Sequence, residues 1–440
     1  MPYTSRAMKS ISKKEHAPVI GVVAEYDPFH NGHALHLAKA RKALVNNTGV
    51  AVPVVVTLSS SFTQRGLPAF ADKMARTKMA LACGANLVLE LPFVHACNSG
   101  PEFARGAVRI LAATGLVTHL AFGVEDASAF AQKDELLLSE SLSILIQEPL
   151  SFKLNLRENL AAGCSYPKAL ALALERERPG GWRLVSSPNN ALAVSYLAEI
   201  QKEGHCLTPI PVQREGAAHN DETPGLFAGP ASATAIRKFL SETWGQGEKS
   251  GDWISDAVPA PVMPVLMEER AGGRLCLATD KLWDLLRGLL TRSTPDALRA
   301  CAGMGEGLEN LFLKHYTRAD SYEDFIGRCV CARYTRGRLQ RQIARCLVGL
   351  DRETAATLSQ SGPPYIRVLG YDDLGRELLR KRRKVDEAMV PVITRLSAAK
   401  GAPAQKMAGV EFRASRLREL LLLNPDLTRE EKLVPYKGLR

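Results

Sequence analysis

The chain has 440 residues, 46% of them hydrophobic and 23% charged, with a formal net charge of +11. These proportions exclude a disordered, collagen-like or disulfide-stapled chain and provide for two or three globular cores. No apolar run reaches the ~18 residues that a membrane span needs, and the positive balance favours a polyanionic partner.

Residues 1–16 carry Arg6, Lys9, Lys13 and Lys14 without an apolar segment, and read as a disordered leader rather than a secretory signal. Val19–Tyr26 is a short apolar run and predicts a buried strand. Ala34–Leu44 has helical spacing, Pro53–Leu58 is β-branched, and Phe70–Cys83 is helical again. Leu87–Leu91, Pro101–Ala113 and His119–Gly123 continue the alternation as strand, helix and strand. Strands alternating with helices in this way predict a Rossmann-like parallel sheet of α/β class, with ligands beyond the carboxyl ends of its strands. From Asp126 to Leu174 the pattern is mostly helical. Pro188–Ile200 predicts a helix, Thr208–Gln213 a strand, and Glu215–Pro230 a loop. Ala233–Leu240 predicts a helix capped by Ser232. Gly, Lys, Asp and Pro cluster over Gly245–Pro264, so the expected units are 17–250 and a mainly helical 251–440.

The charge is local. Arg328 to Lys384 holds 14 Lys/Arg against 5 Asp/Glu, a net of +9, which leaves +2 for the rest. Arg333, Arg336, Arg338, Arg341 and Arg345 recur along a helical stretch, and Arg380, Lys381, Arg382, Arg383 and Lys384 form a second cluster. Both are candidate surfaces for RNA phosphates, against the plainer reading of solvated helix faces. The nine cysteines form no CxxC pair and no Cys/His metal spacing, which fits reduced thiols in the cytoplasm.

The strongest chemical signal is Glu25-Tyr-Asp-Pro-Phe-His-Asn-Gly-His33, set between the first strand and first helix. Gly32 lets backbone approach a phosphate. His33 opens a helix whose unpaired N–H groups attract anions, and His30 and His33 can donate to a polyphosphate as its charge builds. The competing reading is a turn whose histidines only cap the helix. The companion is Ser232-Ala-Thr-Ala-Ile-Arg237, where hydroxyls meet a helix start and Arg237 can reach phosphate. Arg65, Asp72 and Lys73 follow the second strand and are candidate substrate or metal contacts; Asp72 could equally offset a helix dipole.

The pairing of HxGH with a late S-x-T-x-x-R segment resembles the HIGH-motif nucleotidyltransferase superfamily. The longer matches VVAEYDPFHNGHALHL, SSSFTQRGLPAFADKMARTKMAL, GANLVLELPF, SPNNALAVSYLAEI, SATAIRKFL, RYTRGRLQRQIARCLVGL and YIRVLGYDDLGRELL are similar to one branch, the bacterial tRNA(Met) cytidine acetate ligases. The resemblance implies activation of acetate with ATP to acetyl-adenylate, then acetyl transfer to the wobble cytidine of elongator tRNA(Met). It implies His30, His33 and Arg237 as catalytic residues. It implies ATP contacts at Val23, Ala24, Glu25, Tyr26, Asp27, Pro28, Phe29, His30, Asn31, Gly32, His33, Ala34, Leu35 and His36, and at Gly123, Asn189, Arg214 and Ser232. Mg²⁺ is a candidate companion of the ATP phosphates. Asp27, Ser61 and Val124 depart from the family's usual Asn, Asn and Ser. Two other functions compete: a small-molecule adenylyltransferase of cofactor synthesis, which would not need the basic C-terminal half, and a non-catalytic RNA-binding protein, against which the intact motifs argue.

Overall fold

The computed structural model describes residues 17–44, 52–130, 134–214, 231–245, 253–277, 279–383 and 390–438. The expected leader, the loop residues 215–230, residues 246–252 of the expected linker and Lys384 lie outside the described residues.

In the N-terminal half, β1 (Ile20–Ala24), α1 (Asn31–Lys42), β2 (Val54–Ser59), α2 (Lys73–Ala82), β3 (Leu87–Leu91), α3 (Phe93–Ala96), α4 (Gly100–Ala113) and β4 (His119–Val124) alternate. Next come α5 (Glu135–Gln147), α6 (Leu150–Ala161), α7 (Tyr166–Glu177), α8 (Pro188–Glu203), β5 (Thr208–Gln213) and α9 (Ala233–Gly245). The C-terminal half contributes α10 (Trp253–Ala257), α11 (Val262–Ala271), α12 (Asp280–Thr291), α13 (Pro295–Arg299), α14 (Leu308–His315), α15 (Tyr322–Cys329), α16 (Arg336–Val348) and α17 (Arg352–Gln360). It ends with β6 (Ile366–Tyr371), α18 (Asp373–Arg382), β7 (Val392–Ile393), α19 (Ala402–Leu420), α20 (Arg429–Lys432) and β8 (Tyr436–Lys437). The described residues hold no helix long and apolar enough to cross a membrane.

The sheet runs β5-β4-β1-β2-β3-β6-β7, with β8 on β6. Strands β1 to β5 are mutually parallel where they pair. The order reverses beside β1, between β2 on one flank and β4 on the other. The loops after β1 and β4 therefore diverge there, which opens a crevice at the carboxyl edge. Strand β2 is buried along its whole length. Val54, Val56 and Leu58 join one core cluster and Val55 the other, so the two-residue strand period places apolar groups on both faces. Burying each such side chain is worth about 1.5–3 kcal/mol.

Two differences from the sequence reading matter. Strand β1 stops at Ala24 rather than Tyr26, because Tyr26 takes a positive φ of 46° and turns the chain out of the sheet. Strand β6 lies in the half expected to be mainly helical, yet it pairs antiparallel with β3 and extends the N-terminal sheet. Its apolar run is buried on both sides except at Tyr371. A side chain at Gly370 would come within 2.6 Å of Thr77 Cγ2 on α2, so only glycine lets the helix lie this close.

Candidate functional site

A cavity of about 630 Å³ occupies the crevice at the sheet's switch point. Its walls include the loop after β1, the start of α1, Gly123 at the end of β4, Arg214 after β5, and the start of α9.

The floor is the HxGH segment. His30 is the N-cap of α1, and its Nδ1 accepts a hydrogen bond from Gly32 N at 3.1 Å. His33 Nδ1 accepts from His30 N at 3.2 Å, so the two imidazoles form a reciprocal capping box. Their rings stack with centroids 3.7 Å apart. With both Nδ1 atoms accepting from backbone, each neutral ring carries its proton on Nε2 and serves as a donor. The capping reading is met by this geometry, and the same caps fix the direction of each Nε2.

Arg237 closes the cavity from α9. Its Nη1 donates to Asp27 O at 2.6 Å and lies 3.7 Å from the Asp27 carboxylate, while Nη2 donates to Thr234 Oγ1 at 3.2 Å. Two motifs separated by 210 residues therefore meet. Asp27 also accepts from Phe70 N at 2.7 Å, so its carboxylate is fixed and faces a guanidinium. Ser232 Oγ accepts from Ala235 N at 3.0 Å and caps α9. Ser61 and Val124 are buried away from solvent.

The expected nucleotide contacts divide. Val23 through Asp27, His30, Gly32, His33, Leu35 and His36 line the cavity together with Gly123, Asn189, Arg214 and Ser232. Pro28, Phe29, Asn31 and Ala34 do not line it: Phe29 is buried in the core, and the Asn31 amide donates to Asp256 O at 2.6 Å. Burial pushes His36 down to about 4, with Arg214 and Lys39 adding to the effect, so it is neutral at physiological pH. Asn189 donates to Glu125 Oε1 at 2.6 Å. The cap of α8 is Ser187, which accepts from Asn190 N, so Asn189 is not held there as a cap.

Arg65 lines the cavity; Asp72 and Lys73 do not. Both correct the expectation of a substrate or metal role. Asp72 caps α2 through Ala75 N at 2.7 Å and pairs with Arg429 at 2.5 Å. Burial would raise its carboxyl, but Arg429 and Arg418 hold it at about 2. Lys73 is enclosed by Glu90 at 2.5 Å, Glu430 at 3.0 Å and Glu411 at 3.8 Å. Arg367 of β6 joins Glu90 at 3.2 Å and also pairs with Glu430. Burial, with Glu90 next, pushes Glu411 up to about 8. A carboxyl raised on folding contributes stability that is complete below its unfolded value of 4.5 and is lost as pH rises through about 8. Glu411→Gln is therefore expected to flatten the decline in stability across that window, measured by denaturant unfolding at several pH values; an unchanged slope would refute this. Among the described residues no group of three or more His, Cys, Asp or Glu side chains could hold a metal ion.

The basic series also divides. Arg333 and Arg336 are exposed and Arg338 is half-buried over the Tyr334 ring at 5.1 Å. Arg341 and Arg345 turn inward, which corrects their reading as RNA contacts: Arg341 donates to Gln64 O at 3.4 Å and Arg345 to Cys97 O at 3.2 Å. Gly66, at φ +88°, sits so close to α16 that an added Cβ would lie 2.2 Å from Arg341 N. Arg380, Lys381 and Arg383 are exposed, whereas Arg382 is buried and donates to Ala113 O and Val390 O, so it too leaves the expected RNA set.

Sequence reasoning missed Arg76, which is fully buried and holds the loop after β1 through Glu25 O at 2.8 Å and Ser59 Oγ at 3.0 Å. Its signal was an arginine among the apolar positions of a helix. It also missed Cys276, Leu277, Thr279 and Glu323, cavity residues supplied by the C-terminal half.

Residues 17–432 match the HIGH Nucleotidyl Transferase family. The tRNA(Met) cytidine acetate ligase of Acetivibrio thermocellus is 34% identical over 383 residues, covering 86% of this chain and 88% of the relative. That of Caldicellulosiruptor saccharolyticus is 36% identical over 405 residues, covering 91% and 93%. The chain belongs to the tRNA(Met) cytidine acetate ligase family. Thermotoga maritima TmcAL in its apo form superposes with a TM-score of 0.83 at 29% identity, covering 96% of this chain and 100% of that one. The same protein bound with alpha-thio ATP gives 0.80, covering 96% and 99%.

Proposed function

We propose that the chain is an ATP-dependent acetate ligase that forms acetyl-adenylate and transfers its acetyl group to the wobble cytidine of elongator tRNA(Met), giving 4-acetylcytidine. The observation that carries this reading is the meeting of Arg237 with the HxGH loop across one cavity, in a chain of this ligase family. His30 and His33, with the start of α1, donate to the ATP phosphates, and Arg237 draws charge toward the leaving pyrophosphate. Acetate is a weak nucleophile, so its in-line placement on the α-phosphate supplies much of the rate; Arg65 is the proposed carboxylate contact. The cytidine amine is weakly basic, hence the need for a mixed anhydride, and the base must leave the anticodon stack to reach it. A Mg²⁺ ion would travel with the phosphates rather than in a protein-built cage.

Residues 17–250 supply most of the nucleotide site and 251–440 the RNA surface, in the cytoplasm. Arg336 pairs with Glu323, itself a cavity residue, at 2.6 Å, so the exposed start of α16 lies at the cavity's rim. Such exposed pairs exchange readily for phosphate contacts because each is worth only about 0–1 kcal/mol. Replacing Arg333, Arg336 and Arg338 together by glutamine is expected to weaken tRNA binding and to flatten its salt dependence by roughly 0.7–0.9 units for each phosphate no longer neutralised. Titrations at several salt concentrations test this; unchanged affinity and slope would move the RNA surface elsewhere. The function itself is tested by mass spectrometry of nucleosides from tRNA(Met) incubated with enzyme, ATP and acetate. Acetylated cytidine is expected only in the complete mixture. A stable dinucleotide product with another acceptor would replace this reading.

A further inference from the structure

We infer that Glu25 is the general base of the acetyl-transfer step, taking the proton that cytidine N4 loses as it is acylated. The inference rests on the function proposed above and assigns a residue to its second half-reaction.

Acetyl transfer has a fixed proton requirement. N4 attacks the acetyl carbon, the bond from that carbon to the AMP oxygen breaks, and AMP leaves with the electron pair. N4 then carries one proton too many, and an acceptor must take it. His30 and His33 line the cavity, but their Nδ1 atoms already accept backbone hydrogen bonds, so Nε2 presents a proton rather than a lone pair. His36 is held near 4 by burial and is a feeble base. The Asp27 carboxylate is fixed by Phe70 N and by its guanidinium neighbour, and Glu323 is paired with Arg336 at the rim.

Glu25 differs from all of these. It follows β1 directly, lines the cavity and is half-buried. Its Oε1 accepts from Gln64 N at 2.5 Å, which aims the carboxylate; Oε2 accepts no hydrogen bond among the described residues. The nearby guanidiniums spend their hydrogen bonds elsewhere: Arg76 on Glu25 O, Ser59 Oγ, Ser60 O and Ala71 O, and Arg237 on Asp27 O and Thr234 Oγ1. The amide that holds Oε1 belongs to the loop whose Gly66 packs on the backbone of α16, the helix with the proposed RNA-facing arginines. The carboxylate thus sits between the nucleotide motifs and the side from which RNA would enter.

Charge favours the same timing. A carboxylate beside a triphosphate is repelled and assists nothing in adenylation. Once pyrophosphate has left, the anhydride keeps one phosphate charge, and the carboxylate is free to accept a proton. The groups around it act in both directions. Burial raises its affinity for protons and Asp27 adds to this, whereas the Gln64 amide, Arg76 and Arg237 oppose it. Arg65 from the loop after β2, Tyr196 from α8 and Cys97 after α3 complete its charged and titratable surroundings. A carboxylate whose proton affinity is raised by burial is a stronger base than an exposed one.

The test supplies chemically prepared acetyl-adenylate with tRNA(Met), which bypasses adenylation. Transfer by Glu25→Gln is expected to fall about 10²–10⁴-fold, well beyond any loss in acetate-dependent pyrophosphate release, and to lose the acidic limb of its pH profile. Equal loss in both half-reactions, or transfer at the unsubstituted rate, would overturn the inference. If the variant fails to fold, the unsubstituted enzyme decides: transfer is expected to fall on the acidic side as the carboxylate takes up its proton, and a profile that stays flat toward acid overturns the assignment. No transfer at all by the unsubstituted enzyme would instead refute the ligase function.

Discussion

Replacing His33 with alanine is expected to lower acetate-dependent pyrophosphate release about 10²–10³-fold while leaving a cooperatively folded protein. The ring is stacked on His30 and edge-on to Tyr26, with centroids 3.7 Å and 4.8 Å away, and its Nδ1 accepts from His30 N. Alanine removes one donor to the phosphates and also releases His30, whose orientation depends on the same box. The structural loss is confined to one helix cap, worth about 1 kcal/mol. Pyrophosphate release with and without acetate, read beside a thermal melt, separates the two effects. A folded variant that turns over at a near-normal rate would remove His33 from the catalytic set.

Lys73→Met should act in the opposite way, on the fold rather than the chemistry. Lys73 is 3% exposed and answers three carboxylates that arrive on β3, α19 and α20. Losing it leaves Glu90, Glu411 and Glu430 with Arg367 as the remaining cation of that cluster among the described residues. Breaking a buried pair from one side costs about 3–5 kcal/mol, visible as a lower denaturant midpoint. Adding Glu90→Gln to the variant is expected to recover part of the loss, because one uncompensated charge is withdrawn. A midpoint that does not move would show that the cluster is neutralised in some other way.

These two residues also show where the sequence could be read and where it could not. His33 announced itself because its chemistry is local: strand, glycine, histidine and helix start all fall within a few positions. The parallel strands were legible for the same reason, since Val54–Ser59 carries its burial in its own composition. Lys73 misled because Asp-Lys at a helix start beyond a ligand-side loop has the look of a binding pair. Two of its partners, Glu411 and Glu430, come from the far end of the chain. So does Arg429, which is 357 positions from Asp72. Arg341 and Arg345 misled differently. They lie one helical turn apart beside the buried Ile343, Ala344 and Val348, so their face packs on the loops at Gln64 and Cys97. Arg333, Arg336 and Arg338, just before and at the start of α16, are instead exposed or half-buried, with Arg336 and Arg338 paired to Glu323 and Glu306. Glu25 was visible only as part of a nucleotide motif; which of its oxygens is held, and by what, depends on a loop 39 positions away.

The pairing of β6 with β3 bears on how this enzyme could be taken apart. Residues 368–371 pair with 87–89, and the sheet of the nucleotide half is completed by a strand made late in synthesis. A fragment cut near residue 250 would leave β3 as a bare edge with Leu87, Val88 and Leu89 along it, the kind of flat apolar border that recruits other chains. The ribosome itself produces that intermediate, so the nascent protein has an interval of exposure between emergence of β3 and arrival of β6. Anyone grafting this catalytic sheet onto a different RNA-binding module would have to carry β6 along as a detachable piece of the recipient.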